Sequence, residues 1–245
     1  MLKEKMIKEA IENVFKFYSK EDVEAIYLTG SALNNLMVEG SDIDLYVVLK
    51  QNKLNLIMCE LLSGQEHGEE QDFKYMESFK FLQLLAKTNP NALELLFKKP
   101  IYVSKSFKKV SEYLYEHKLE VIAINKERYF SSGYSMMKTN FTKLLNGSGR
   151  VATGKAGKEV LNFYKTYYQL KAYHEGKSLE KFVVFGGTLK EELLEYKTTK
   201  AYSKVEKEIL LEKMEKELSE IEKIKEEYIG KPFEISILSK VVEKL

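Results

Sequence analysis

From Tyr27 to Leu49 the chain reads YLTGSALNNLMVEGSDIDLYVVL, and no other stretch limits the fold as much. One apolar run ends at Gly30-Ser31, and ten residues later a second opens with Asp42-Ile43-Asp44. In the second run Ile43, Leu45 and Val47 alternate with Asp42, Asp44 and Tyr46. That is the period of a strand, with one apolar face and both carboxylates on the other. Neighbouring carboxylates repel each other unless a cation lies between them or one is protonated. Lysine partners would satisfy them. So would Mg²⁺, a hard ion that prefers carboxylate oxygens and keeps several waters. The Gly-Ser turn adds weight to the metal. It ends a strand and opens a short helix, expected to be capped by Ser31, so backbone N–H groups are left for phosphate oxygens. A phosphate cradle beside paired carboxylates is what metal-assisted phosphoryl or nucleotidyl transfer requires. A third acid would complete a two-metal site and help deprotonate the attacking hydroxyl. Asp72 is the natural candidate: EEQDFKYM alternates again, with Phe73 and Tyr75 on one face and Asp72 and Lys74 on the other. Glu69 and Glu70 compete with it, and Glu70 shares its face.

The surrounding pattern is α+β up to about residue 100 and all-α afterwards. Residues 3–18 carry a helical apolar stripe, EAIYLTG reads as a buried strand, and residues 53–62 look helical. SFKFLQLLAKT is an amphipathic helix broken at Asn89-Pro90, after which NALELLF resumes. Beyond Pro100, residues 104–117, 126–145, 155–175, 188–197 and 203–228 read as helices, with a short one over 234–245. KFVVFGG is either a short strand or a buried connector. The expected division is therefore 1–100 and 101–245. The 203–228 helix has one apolar seam among dense Lys and Glu. That seam suits its own bundle and also leaves a dimer open.

Residues 101–175 hold thirteen basic residues against six acidic ones, a net +7, whereas residues 1–100 are net −4. A segment this basic either faces an anion or is a solvated lysine surface, and charge alone does not choose. Only Arg128 and Arg150 are arginines, so lysine supplies most phosphate contacts as a flexible point charge. GRVATGKA, Gly149 to Ala156, nearly spells G-x-x-x-x-G-K-[ST]. It lacks the final hydroxyl and follows a helical pattern instead of a strand. It reads better as a Gly-rich loop that brings Arg150, Lys155 and Lys158 near anions. Lys158, Asn162 and Lys165 fall on one face of the next helix, suited to a triphosphate or an acceptor. The nearby Phe163, Tyr164, Tyr167, Tyr168 and Tyr173 read mainly as core. The single cysteine, Cys59, sits in LNLIMCELL and reads as a small buried hydrophobe. With one Cys and three His, a zinc site is not expected. No apolar stretch reaches the roughly 18 residues of a membrane span, and the first twenty residues lack a signal-peptide core. A cytoplasmic location is expected.

Taken together, Gly30-Ser31, ten residues and Asp42-Ile43-Asp44 resemble the signature of the DNA polymerase β superfamily of nucleotidyltransferases. DFKY…FLQLLAKTNPNALELLF resembles one branch of it, the predicted bacterial and phage nucleotidyltransferases linked to RNA repair. The resemblance covers about residues 24–100. It implies a small mixed β-sheet core with flanking helices at 1–100 and an all-α domain at 101–245 that closes the nucleotide cleft. It implies that Gly30 and Ser31 contact the β- and γ-phosphates, that Asp42 and Asp44 ligate two Mg²⁺ ions, and that Asp72 is the third ligand. Lys74, Lys158 and Lys165 are the candidate side-chain contacts to the nucleotide. The expected reaction is transfer of NMP from an NTP such as ATP to a hydroxyl of an RNA end, a protein or a small molecule. Two other readings stand beside it: a nucleotide- or RNA-binding module on a retired scaffold, and a toxin–antitoxin protein that nucleotidylates a partner.

Overall fold

The computed structural model describes residues 2–67, 72–233 and 236–244. The chain forms two compact units, Met1–Asn125 with Phe233–Leu245, and Lys126–Pro232.

The first unit is built on a five-stranded sheet: β1 (Val23–Leu28), β2 (Leu45–Leu49), β3 (Ser63–His67), β4 (Asp72–Glu77) and β5 (Tyr102–Val103), in the order β3-β4-β2-β1-β5. β2 and β4 run parallel with Leu45 opposite Phe73, and the other pairs are antiparallel, so the sheet is mixed. Residues paired across a ladder share a face. Leu45, Val47, Phe73 and Tyr75 therefore face α1 (Leu2–Phe17), whose Phe17 ring lies 5.4 Å from that of Phe73 and whose helix is followed by Tyr18, 5.8 Å from Tyr75. Tyr27, Tyr46 and Lys74 share the opposite face. It is covered by α4 (Ser78–Ala86), with the Phe81 ring 5.9 Å from Tyr27, and by α6 (Lys108–Glu116), with Ser111 Oγ 3.4 Å from the Tyr27 hydroxyl. Leu45, Phe73, Met76 and Phe81 are fully buried, each stabilising the fold by about 1.5–3 kcal/mol relative to exposure. α2 (Gly30–Leu33), α3 (Lys53–Ile57), α5 (Pro90–Leu95), α7 (Lys118–Ala123) and α13 (Ser236–Val242) complete the unit. Asn89 caps α5 through the Ala92 N–H, with Pro90 in its first turn. α13 buries Ile237 and Val241 against α6 and α7.

Several local expectations are corrected. β3 carries the polar sequence SGQEH, and no apolar alternation announces it. β5 is only two residues long and lies beyond Pro100. α2 begins at Gly30 with Thr29 in the cap position, so Ser31 is inside the helix and is not its cap. The helix expected over 53–62 stops at Ile57. Cys59 is exposed, at φ 58°, because the segment turns its polar side inward.

The second unit is helical: α8 (Lys126–Asn146), α9 (Ala156–His174), α10 (Glu180–Val183), α11 (Gly187–Thr198) and α12 (Lys204–Glu226). KFVVFGG supplies part of α10 and the buried Phe185. A capping box between Ser203 and Glu206 starts α12, whose Met214, Leu218, Ile221 and Ile224 are buried within the bundle on α8 and α9. No helix among the described residues is long and apolar enough to cross a membrane.

Candidate active site

Gly30 and Asp44 are pressed together where β1 ends and β2 begins. The ladder carries past its last strand pair, with the Thr29 N–H donating to the Asp44 carbonyl at 3.0 Å. That bond draws the turn after β1 onto the residue that precedes β2. Gly30 has φ +56°, and a Cβ placed on it would lie 2.5 Å from Asp44 Oδ2. Only glycine adopts this backbone without penalty while leaving room for the carboxylate. The N–H groups of Gly30, Ser31 and Ala32 donate to no described residue, which is the usual state of the first turn of a helix before a ligand or water binds it.

Strand assignment begins at Leu45, so Asp42-Ile43-Asp44 leads into β2 and is not inside it. The alternation still holds in burial: Ile43 is buried, and Asp42 and Asp44 are exposed. Asp42 also borders a cleft of ≈ 690 Å³ along α1, with Glu9, Asn13 and Lys16. Asp72 opens β4, one residue ahead of Phe73, as Asp44 is one residue ahead of Leu45, its pairing partner. The backbone of Asp72 is thus placed beside Asp44, while its side chain, and Glu69 and Glu70 entirely, lie outside the described residues. Lys74 is exposed and paired in register with Tyr46. Tyr46 is half-buried, and burial pushes its phenol up. It was given no role from sequence, although its position two residues after Asp44 on an alternating strand places it on the same face.

Among the described residues no three His, Cys, Asp or Glu side chains gather around a common point. The pair that is present fits a hard cation all the same. Asp42 and Asp44 offer exposed carboxylate oxygens, and Gly30 leaves open, where a Cβ would sit, the space next to one of them.

Lys158 and Lys165 belong to the second unit. Both are half-buried on α9, as is Asn162. The Gly-rich loop before them is not an anion cradle. The first N–H groups of α9, from Ala156 and Gly157, donate to the carbonyls of Lys200 and Thr199 at 3.1 Å each. Arg150 is turned to Glu159, whose side chain is fully buried: the Arg150 N–H donates to Oε1 at 3.3 Å and its guanidinium lies 3.8 Å away. Lys143 approaches the other carboxylate oxygen at 3.9 Å. Glu159 therefore pins the loop, a role the sequence hid behind the resemblance of GRVATGKA to a phosphate-binding loop. Phe163, Tyr164 and Tyr167 are core, as expected. A second cavity of ≈ 390 Å³ in this unit is lined by Tyr167, Tyr168, Lys171 and Glu192, among others. Its polar groups satisfy one another: Lys171 donates to the Tyr167 hydroxyl at 3.1 Å and pairs with Glu220 at 2.9 Å, and Tyr168 donates to Glu192.

Residues 8–126 match the family model described as "Nucleotidyltransferase domain". The chain is similar to the nucleotidyltransferase-like protein from Exiguobacterium sibiricum 255-15, whose crystal structure was solved at 1.90 Å. The identity is 11%, the alignment covers 98% of this chain and 80% of the other, and the TM-score of 0.33 is too low to bear on fold or function. No curated protein matches the chain in sequence.

Proposed function

We propose that this protein, whose residues 8–126 match the nucleotidyltransferase-domain model, moves a nucleoside monophosphate from an NTP to an acceptor hydroxyl. The acceptor oxygen attacks the α-phosphorus and forms the new O–P bond. The α–β anhydride bond breaks, pyrophosphate leaves, and the hydroxyl proton passes to a carboxylate. Asp42 and Asp44 would hold Mg²⁺, with Asp72 as the third carboxylate. When bound, the metal neutralises triphosphate charge and lowers the pKa of the acceptor hydroxyl. Gly30 and Ser31 present N–H groups to the β- and γ-phosphates, and Lys74, on the sheet face of Tyr46, adds a cation. Lys158 and Lys165, on one face of α9, remain candidate anion contacts of the second unit by itself.

The observation that carries this reading is the contact between Gly30 and Asp44. A phosphate-binding turn and a metal-binding carboxylate must be neighbours for in-line transfer, and the backbone of Gly30 is bent to let the Asp44 oxygen approach. The test is pyrophosphate release from each of the four NTPs with Mg²⁺ and RNA, protein or small-molecule acceptors, repeated with Asp42→Asn and Asp44→Asn. Metal-dependent release that either variant cuts at least about a hundredfold supports the proposal. Release that both variants leave unchanged would exclude these acids, and binding of NTP with no transfer to any acceptor would favour a retired scaffold.

A further inference from the structure

Helix α3 is inside out. A surface helix ordinarily turns its apolar side to the core. Here the polar side faces in: Asn55 Nδ2 and Gln51 Nε2 each donate to the Glu77 carboxylate at 2.7 Å, and Glu77 is 4% exposed. Gln51 Oε1 accepts from the Phe79 N–H at 3.3 Å, and Asn52 caps the helix through the Leu54 N–H at 2.8 Å. The helix is fixed in this orientation from below and at its start. Its other side is left to solvent, with Leu54 64% exposed, Ile57 78% and Met58 60%, followed by Leu62 at 50%. α3 buries no residue at all. These side chains together present on the order of 500 Å² of apolar surface, the size of the largest patches on monomers, which are often functional. The patch leads directly into β3, the outer strand of the sheet, whose free edge pairs with no described strand. β3 has neither proline nor lysine, the residues that commonly guard such an edge.

We infer that this surface is where a second copy of the chain docks, residues 53–62 of each protomer packing across a twofold axis. Two observations select a second copy over an unrelated protein. The first is charge. Lys53 opens the segment and Glu60 closes it, both exposed. An antiparallel twofold arrangement sets each Lys53 against the Glu60 of the other copy, so the patch complements itself. The second is area. Two such patches with the adjoining β3 edges reach the roughly 1,200 Å² at which specific interfaces begin. The Gln51, Asn55 and Glu77 hydrogen bonds then have a purpose beyond stability, since they keep the apolar side available.

Sedimentation velocity on the full chain tests this. The native protein is expected to be a dimer at micromolar concentration. Ile57→Asp should weaken association by more than about a hundredfold, because two buried anions replace two central contacts. Its far-UV circular dichroism should stay unchanged, and its melting temperature should equal that of the native chain at concentrations where the native chain is dissociated, because Ile57 is exposed within the protomer. Lys53→Glu should weaken association about fivefold, and adding Glu60→Lys should restore it, a rescue that only self-pairing produces. A native chain that stays monomeric at every soluble concentration overturns the inference, as does a dimer that survives Ile57→Asp. Failure of the double charge reversal to rescue overturns the antiparallel register.

Discussion

At Gly30 one residue meets two requirements, a left-handed backbone and an absent side chain. An alanine there costs about 1 kcal/mol in backbone conformation, and its methyl group meets the movable end of Asp44 and not fixed backbone. Gly30→Ala should therefore lower stability only modestly while displacing the Asp44 carboxylate. We expect pyrophosphate release to fall by more than about tenfold with a change in unfolding free energy near 1 kcal/mol, read from steady-state kinetics and urea denaturation. The two acids and the Gly-Ser turn could be read from the chain because strand alternation and turn chemistry are local. Their contact could not, since it depends on the Thr29–Asp44 hydrogen bond between two strands. The exposure of Cys59 was equally hidden. An apolar neighbourhood in sequence does not say which side of a short helix the rest of the fold will take.

Among the elements, the strands with apolar alternation and the long helices were legible, and the edge strands were not. SGQEH becomes a strand only because β4 offers it a ladder, and the context outweighs the weak propensity of Gly and Glu. The meeting of α9 and α11 was likewise invisible. A Cβ on Gly157 would lie 1.8 Å from the Tyr196 carbonyl oxygen and 2.6 Å from that of Thr199, both backbone atoms. Gly157→Ala must push the two helices apart, and we expect a loss of about 2–3 kcal/mol or more in chemical denaturation. On α12, Glu217 has a carboxylate oxygen that is buried and unpartnered. Burial raises its pKa above the ordinary 4.5, although Tyr164 and Lys213 pull the other way. A raised carboxyl pKa means that the folded state binds the proton more tightly than the unfolded chain. Stability then declines as pH rises through the interval between the two values. Glu217→Gln should raise the melting temperature at neutral pH, with the gain shrinking as pH falls through that interval. Melts across the acid range would check this, and a pH-independent difference would contradict it.

At the scale of the whole molecule, the sequence suggested a simple succession, a sheet region and then a helical region. Compactness follows another path, because α6 and α7 belong to the unit that holds the sheet and α13 returns to pack on them. The hydrophobic pattern of α13 gave no sign of this, since an apolar seam specifies that a helix must be covered and not by what. Removing residues 233–245 strips Ile237 and Val241, 5% and 0% exposed, from the first unit. We expect that unit to lose about 3–5 kcal/mol, with amide exchange rising in α6 and α7 and unchanged in α9 and α12. Equal losses in both units would refute this assignment of α13. The same excursion of the chain, out at Asn125 and back at Phe233, also orders events at the ribosome. The helical unit lies wholly between those two points and emerges before the first unit has its last helix. The unit whose strands were made earlier keeps the seat for Ile237 and Val241 bare until α13 follows. The sheet-bearing unit is thus completed only after the helical one has been made, although its strands precede that unit in the chain.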